Sequence, residues 1–278
     1  MDVASEPEAP FKFSVSLAPS VLWPRLTNLN HSLAFSGNAV EDQAYHAAGA
    51  PSASHAAGYK TVSMCLGGVL TFTHEFDEDF RAGIQTEFMY LSTKEDLKLT
   101  PSTGGTIWSA TNYFTSQQMT LPVLKLAVFF QRVFRFEEEP NLRLYMGGWG
   151  EYGMLFFATM EGKTYDADAF PVTEYRYKAD LSGGGWGAGL LGGVEYTMTS
   201  FLVAYLETGW DWFIINRIAR SGTIDRWWHY SDADGEHFSH MGTDYYNNPS
   251  LQDGNDKKID LDLSGVFIRG GLKLGLGF

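Results

Sequence analysis

The chain has 278 residues, a formal net charge of −13, and 44% hydrophobic, 15% aromatic and 19% charged residues. That acidity argues against general nucleic-acid binding, which needs a basic face. One cysteine, Cys65, excludes an intramolecular disulfide, and no stretch approaches the roughly 18 to 20 apolar residues of a membrane helix.

The segment Met1 to Pro10 is acidic and lacks a basic start and an apolar run, so either the chain is cytosolic or a secretory leader has already been removed; an outer-membrane protein needs the second reading, in which residues 1–10 are a short periplasmic extension. From Phe11 onward the hydrophobic pattern has period two, the signature of strands. Phe11, Phe13, Val15 and Leu17 alternate with Lys12, Ser14 and Ser16, and Pro19 and Pro24 close this first strand near Leu22. A second strand is expected from about Gly58 to His74, with Leu66, Leu70 and Phe72 on one face and Cys65 as a small packing residue. The acidic run 75–79 turns the chain into a third strand, 80–91, with Phe80, Ile84 and Phe88 opposite Arg81, Gln85 and Glu87. The fourth, 119–136, sets Leu124, Leu126, Val128 and Phe130 against Lys125, Gln131 and Arg135. After a Glu/Pro/Asn turn, the fifth, 142–160, opposes Leu144, Met146, Tyr152 and Met154 to Arg143, Tyr145, Trp149 and Glu151. The sixth, 181–196, and the seventh, 201–215, place Glu195, Glu207 and Asp211 opposite Trp186, Leu190, Leu206, Trp210 and Trp212.

The last strand, from Asp260 to Phe278, alternates Val266, Ile268, Leu272, Leu274, Leu276 and Phe278 with Phe267, Arg269 and Lys273. A soluble sheet buries its apolar face, whereas a membrane barrel turns it to lipid and keeps charge inside. Between the eight expected strands, long polar segments at about 23–57, 92–116, 161–180 and 216–258 alternate with three short turns. This order fits an up-and-down barrel with both termini on one side. The expected fold class is therefore all-β: one domain, 11–278, forming a transmembrane antiparallel β-barrel with long extracellular loops and short periplasmic turns.

Phe278, the alternating Leu276, Leu274 and Leu272, and the order of turns and loops make the chain resemble the small eight-stranded outer-membrane barrels of Gram-negative bacteria, the OmpA, OmpX and OmpW type. The resemblance implies a bacterial outer-membrane location, contact with the bilayer and lipopolysaccharide, and a terminal strand (Leu272, Leu274, Leu276, Phe278) read by the barrel-assembly machinery. Its OmpW-like side implies a narrow channel or carrier for small or hydrophobic solutes. The loops are long for the class, and no peptidoglycan-binding domain is expected after the last strand.

The inward register collects Glu87, Lys125, Arg135, Arg143, Glu151, Glu195, Glu207, Asp211, Arg269 and Lys273. Eight strands leave an interior just wide enough for side chains or one small ligand, and buried charges must be paired. The set is therefore expected to form a salt-bridged plug. The most unusual segment runs from Asp225 to His240 and on to Tyr246. Trp227, Trp228, His229, Tyr230, Tyr245 and Tyr246 among carboxylates offer flat apolar area with directional acceptors, as a protein or glycan surface requires. Asp232, Asp234 and Glu236 lack the spacing of an EF-hand, and His229, His237 and His240 form no ligand pattern strong enough to assign, so neither metal nor cofactor is expected. No nucleophile elbow, Walker A or Rossmann motif occurs. The leading expectation is a non-enzymatic, monomeric surface or structural barrel acting through its loops, alone or within a larger envelope complex. Channel or carrier activity, a lipid-modifying enzyme and a soluble secreted lectin-like sandwich are the alternatives.

Overall fold

The structure, a computed structural model, describes residues 12–26, 64–99, 113–166, 172–232, 235–248 and 260–276. They form eleven strands: β1 (Phe13–Pro24), β2 (Cys65–Glu75), β3 (Phe80–Leu99), β4 (Tyr113–Arg135), β5 (Leu142–Leu155), β6 (Ala158–Asp166), β7 (Val172–Thr199), β8 (Leu202–Asp232), β9 (Gly235–Asn248), β10 (Leu261–Asp262) and β11 (Gly265–Leu276). All belong to one antiparallel sheet, and no helix occurs among the described residues.

The pairings run from β1 through β2, β3, β4, β5, β7, β8 and β11 and return to β1. Following register partners from Ser14 through Thr73, Gly83, Phe129, Trp149, Gly189, Asp211 and Gly265 leads back to β1 at Pro24, ten residues beyond the start. Such a stagger is what a closed sheet of tilted strands requires. Local chemistry closes the short connections. Between β2 and β3, Asp77 Oδ1 accepts the backbone N–H of Asp79 and of Phe80, both at 2.8 Å, an Asx turn. Between β7 and β8, Thr199 Oγ1 accepts the N–H of Leu202 at 3.1 Å.

The strand count and several boundaries correct the expectation of eight strands. Much of 92–116, 161–180 and 216–258 is strand, because β3, β4, β7 and β8 continue past the apolar band and β6 and β9 pair alongside them. In the sequence of these extensions polar residues recur at both parities, so they lack the alternation that marks a half-buried strand. The expected second strand starts at Cys65, and its residues 58–63 lie outside the described set, as do most of loop 23–57, the extension 1–10 and Phe278. The last strand is in two pieces, interrupted at Leu263 and Ser264.

The expected fifth strand breaks at Phe156 and Phe157. There Leu121 and Pro122 of β4 face Phe156, Phe157 and Ala158 between the pairs Val123–Leu155 and Thr120–Thr159. Phe156 N–H donates to Pro122 O at 2.9 Å. Phe157 takes φ 53, left-handed for a residue with a Cβ. This is a β-bulge, and it leaves Phe157 82% exposed.

Two layers of side chains follow from closure. Outward stand Leu17, Leu66, Leu70, Ile84, Leu126, Val128, Phe130, Met146, Trp186, Leu190, Leu206, Leu272 and Leu274, all exposed. Inward, the half of the sheet nearer the Asp77 and Thr199 turns is charged. The half beyond it is apolar: Leu22, Leu26, Met89, Leu91, Leu121, Val123, Leu181, Phe213, Ile215, Leu261 and Leu263 pack there, each at most 4% exposed. Some glycines are fixed by this packing. At Gly189 a Cβ would fall onto the Trp149 ring, whereas at Gly150, facing outward, it would meet nothing within 4 Å. Gly189→Val is therefore expected to destabilise by about 1–3 kcal/mol through overpacking. Gly150→Val should stay within about 0.5 kcal/mol, as read from denaturant unfolding.

Candidate functional site

The interior charges come from every strand of the closed ring except β1, which contributes Ser20. Lys125 of β4 lies against three carboxylates: its Nζ donates to Glu151 Oε1 of β5 at 3.0 Å and to Asp211 Oδ2 of β8, and it lies 3.9 Å from Glu87 Oε2 of β3. These carboxylates would otherwise resemble a metal cluster, since their oxygens lie within 4.8 Å of one another. The ammonium already sits in contact with all three. Arg269 of β11 spans the same level. It donates to Glu87 Oε2 at 3.1 Å, to Gln85 Oε1 at 3.0 Å and to Glu207 Oε1 at 3.4 Å. Its guanidinium also stacks 4.3 Å from the Phe267 ring. Ser20 of β1 donates to Glu87 Oε1 at 2.8 Å.

Nearer the short turns, Glu195 of β7 gathers three cations. Arg81 donates to its Oε1 at 2.7 Å, Lys273 donates to the same oxygen, and Arg143 approaches Oε2 at 3.9 Å. Arg81 also donates to Gln131 Oε1 at 2.6 Å and lies 4.3 Å from the Tyr145 ring. Arg143 pairs with Glu75 of β2 at 3.6 Å. Tyr145 and Trp149 tie in by donating to Glu207 Oε2 at 3.0 Å and Glu151 Oε2 at 3.1 Å. A cavity of about 20 Å³ remains between Ser16, Gln85, Tyr205 and Lys273, room for about one water. Fully desolvated pairs of this kind hold only while each partner is present, because removing one strands a buried charge.

Nine of the ten residues expected in the network are buried in it: Glu87, Lys125, Arg143, Glu151, Glu195, Glu207, Asp211, Arg269 and Lys273. Arg135 is the exception and corrects the expectation. It ends β4 at the rim, 31% exposed, facing Glu78 at 3.5 Å. Arg81, Glu75 and the two aromatic donors were not in the expected set. Arg81 stands in the inward register beside Gln85 and Glu87, which is the signal that could have placed it. Glu75 was assigned to a turn.

The aromatic candidates lie on paired strands beyond the apolar band. Trp227, Trp228, His229 and Tyr230 belong to β8, and Tyr245 and Tyr246 to β9. Register sets Glu174, Trp227 and His240 in one row and Arg176, Asp225 and Thr243 in the next. The Trp227 and His240 rings are 4.8 Å apart, and the Arg176 guanidinium lies 4.8 Å from Trp227. Thr243 donates its hydroxyl to Asp225 Oδ1 at 2.5 Å and stands 3.4 Å from His240 Nε2. The hydroxyl proton goes to the carboxylate, so this cluster is not arranged as a nucleophile with its base. Arg226 pairs with Asp244 at 3.1 Å, and Tyr245 is 84% exposed. A flat ring beside directional donors and acceptors is suited to binding rather than to bond breaking.

Lys125→Met is expected to cost about 3–5 kcal/mol by leaving the buried carboxylates of Glu151 and Asp211 without their cation. Adding Asp211→Asn and Glu151→Gln should restore part of that loss. Arg135→Ala, at the rim, should cost at most about 1 kcal/mol. Denaturant midpoints of the four proteins check the contrast.

No family model matches the chain, and no curated protein matches it. Among solved structures it is similar to the crystal structure of the outer membrane protein OprG from Pseudomonas aeruginosa, at 11% identity over 96% of each chain with a TM-score of 0.41.

Proposed function

We propose that this chain is an integral β-barrel of the bacterial outer membrane, closed to solutes, whose strands beyond the membrane present an aromatic surface to a protein, glycan or matrix partner. One observation carries the reading. The sheet is inverted relative to a soluble protein, with apolar side chains exposed around a closed ring and charges buried within it. Water would leave that exposed belt a large liability, whereas hydrocarbon is its natural solvent and abolishes the need for a soluble core. Closure also leaves no unpaired edge within the ring, as lipid demands.

The interior favours a plug over a pore. A layer of interlocked charges is followed by a packed apolar layer, so neither water nor an apolar solute has a continuous path along the axis. Function then falls to the outer surface, where Trp227, Tyr245, Asp225 and Arg226 stand on β8 and β9. In this reading bilayer lipid and lipopolysaccharide contact the belt, the barrel-assembly machinery inserts the chain, and the barrel is monomeric.

The protein is expected to stay with the detergent phase on phase separation and to give no resolved conductance steps in planar bilayers. Recovery in buffer without detergent would remove the membrane reading, and a stable single-channel conductance would remove the plug. Trp227→Ala and Tyr245→Ala should weaken capture on a glycan or matrix-protein array roughly tenfold or more while leaving unfolding unchanged.

A further inference from the structure

On the outward register of the ring strands, one side chain breaks the pattern. It covers 13–23 on β1, 66–76 from β2, 80–90 on β3, 122–136 along β4, 142–156 from β5, 184–198 on β7, 202–214 on β8 and 266–276 on β11. Every second residue there is apolar, glycine, threonine or proline, with His74 stacked on Phe13 at 4.5 Å near the turn end. Arg132 is the single Asp, Glu, Lys or Arg in that register among the described residues.

Arg132 has no carboxylate partner among the described residues. Its register partners are Phe80 on β3 and Met146 on β5. Its guanidinium lies 5.7 Å from the Phe80 ring and 5.3 Å from the Phe134 ring, and Phe80 in turn stacks on Phe130 at 5.6 Å. Two aromatic faces thus flank the cation without neutralising it. Phe80 is the first residue of β3, directly after the Asp77 turn. Arg132 therefore sits at the edge of the apolar belt on the short-turn side, not at its middle.

An arginine facing hydrocarbon without a partner is strongly disfavoured, and the penalty falls toward the interface, where long side chains reach the polar layer. The anions available at that depth are headgroup phosphates, and the guanidinium fork matches phosphate oxygens in a bidentate way. We infer that Arg132, held between Phe80 and Phe134, binds the phosphate of a phospholipid in the leaflet on the short-turn side. The rings fix the guanidinium plane, and the neighbouring apolar side chains, Phe130 and Met146, take the first carbons of the acyl chains. This inference rests on the membrane reading above.

Native mass spectrometry of the full chain in detergent, titrated with phosphatidylglycerol, phosphatidylethanolamine and an uncharged diacylglycerol of the same chains, tests it. The wild type should retain one phospholipid at collision energies that strip the others, and should not retain the diacylglycerol. Arg132→Gln should lower that retention roughly tenfold or more, in line with losing a charge-assisted hydrogen bond. Arg132→Lys should fall between. Free glycerophosphate should compete poorly, because it lacks the chains. Phe80→Leu with Phe134→Leu keeps the charge and the apolar belt and should weaken retention as well, which keeps the inference testable where Arg132→Gln fails to fold. Equal retention by Arg132→Gln, or by the double leucine variant, overturns it, as does equal retention of the diacylglycerol. A protein that needs no detergent would instead overturn the membrane reading itself.

Discussion

The fold turns on a single buried ammonium. Lys125 projects from β4 into a ring of carboxylates supplied by β3, β5 and β8, two of them its neighbours and one across the interior. Burying these groups is expensive, and only a geometry in which each charge meets its counterpart repays the desolvation. That condition holds at one register alone. A slip of one residue in β4 would turn Lys125 outward and present Leu124 or Leu126 to the carboxylates. Arg269 repeats the constraint from β11, the strand that closes the ring against β1. The charges contribute little net energy on this view; they define which closed sheet forms.

How much of this was legible in the sequence depends on what each face meets. Where one face meets an apolar surrounding and the other a crowd of charges, period-two alternation separates them, and the sides of Lys125, Arg143, Glu151, Glu195 and Arg269 could be read directly. The alternation fails where both faces carry the same chemistry. Beyond the belt, the sequence of β8 has polar residues at both parities, Ser221 and Thr223 at one and Arg220 and Arg226 at the other, so its continuation reads as loop. The apolar layer inside fails in the opposite sense. Trp212, Phe213, Ile214 and Ile215 are apolar on both faces, so nothing in the run shows that Phe213 and Ile215 fill the interior while their neighbours face out. Arg135 has the inward parity but stands at a strand end, where parity no longer implies enclosure. Arg132 has the outward parity, but with polar Gln131 and Arg135 so close to it the sequence does not mark it off from an ordinary strand end.

The interior is thus built in two chemically distinct storeys. The charged one lies within the outward apolar belt, where the inward pairs are buried and directional pairing is strongest. The apolar one lies farther from the short turns, where Leu22, Met89, Phe213 and Ile215 fill the interior while Trp23, Tyr90, Trp212 and Ile214 still face outward, so that there the wall is apolar on both sides. The interior changes from charged to apolar along the same continuous strands. Trp227 and Tyr245 lie beyond this second storey on the paired strands β8 and β9.

The bulge at Phe157 shows how that change is managed on one strand. A β-strand is read in a frame of two, and an extra residue is a frameshift. Before it, odd-numbered residues such as Glu151 and Leu155 point inward; after it, even-numbered ones such as Ala158 and Met160 do. Two adjacent phenylalanines, Phe156 and Phe157, consequently share the outer side, which no unbroken strand allows. Loss of that one residue would put the whole of β6 out of frame, turning Glu161 and Lys163 toward the apolar interior and Met160 toward solvent. Changes of length at this point are therefore admissible only in pairs, and the strained backbone of Phe157 is what keeps the two halves of the wall in phase.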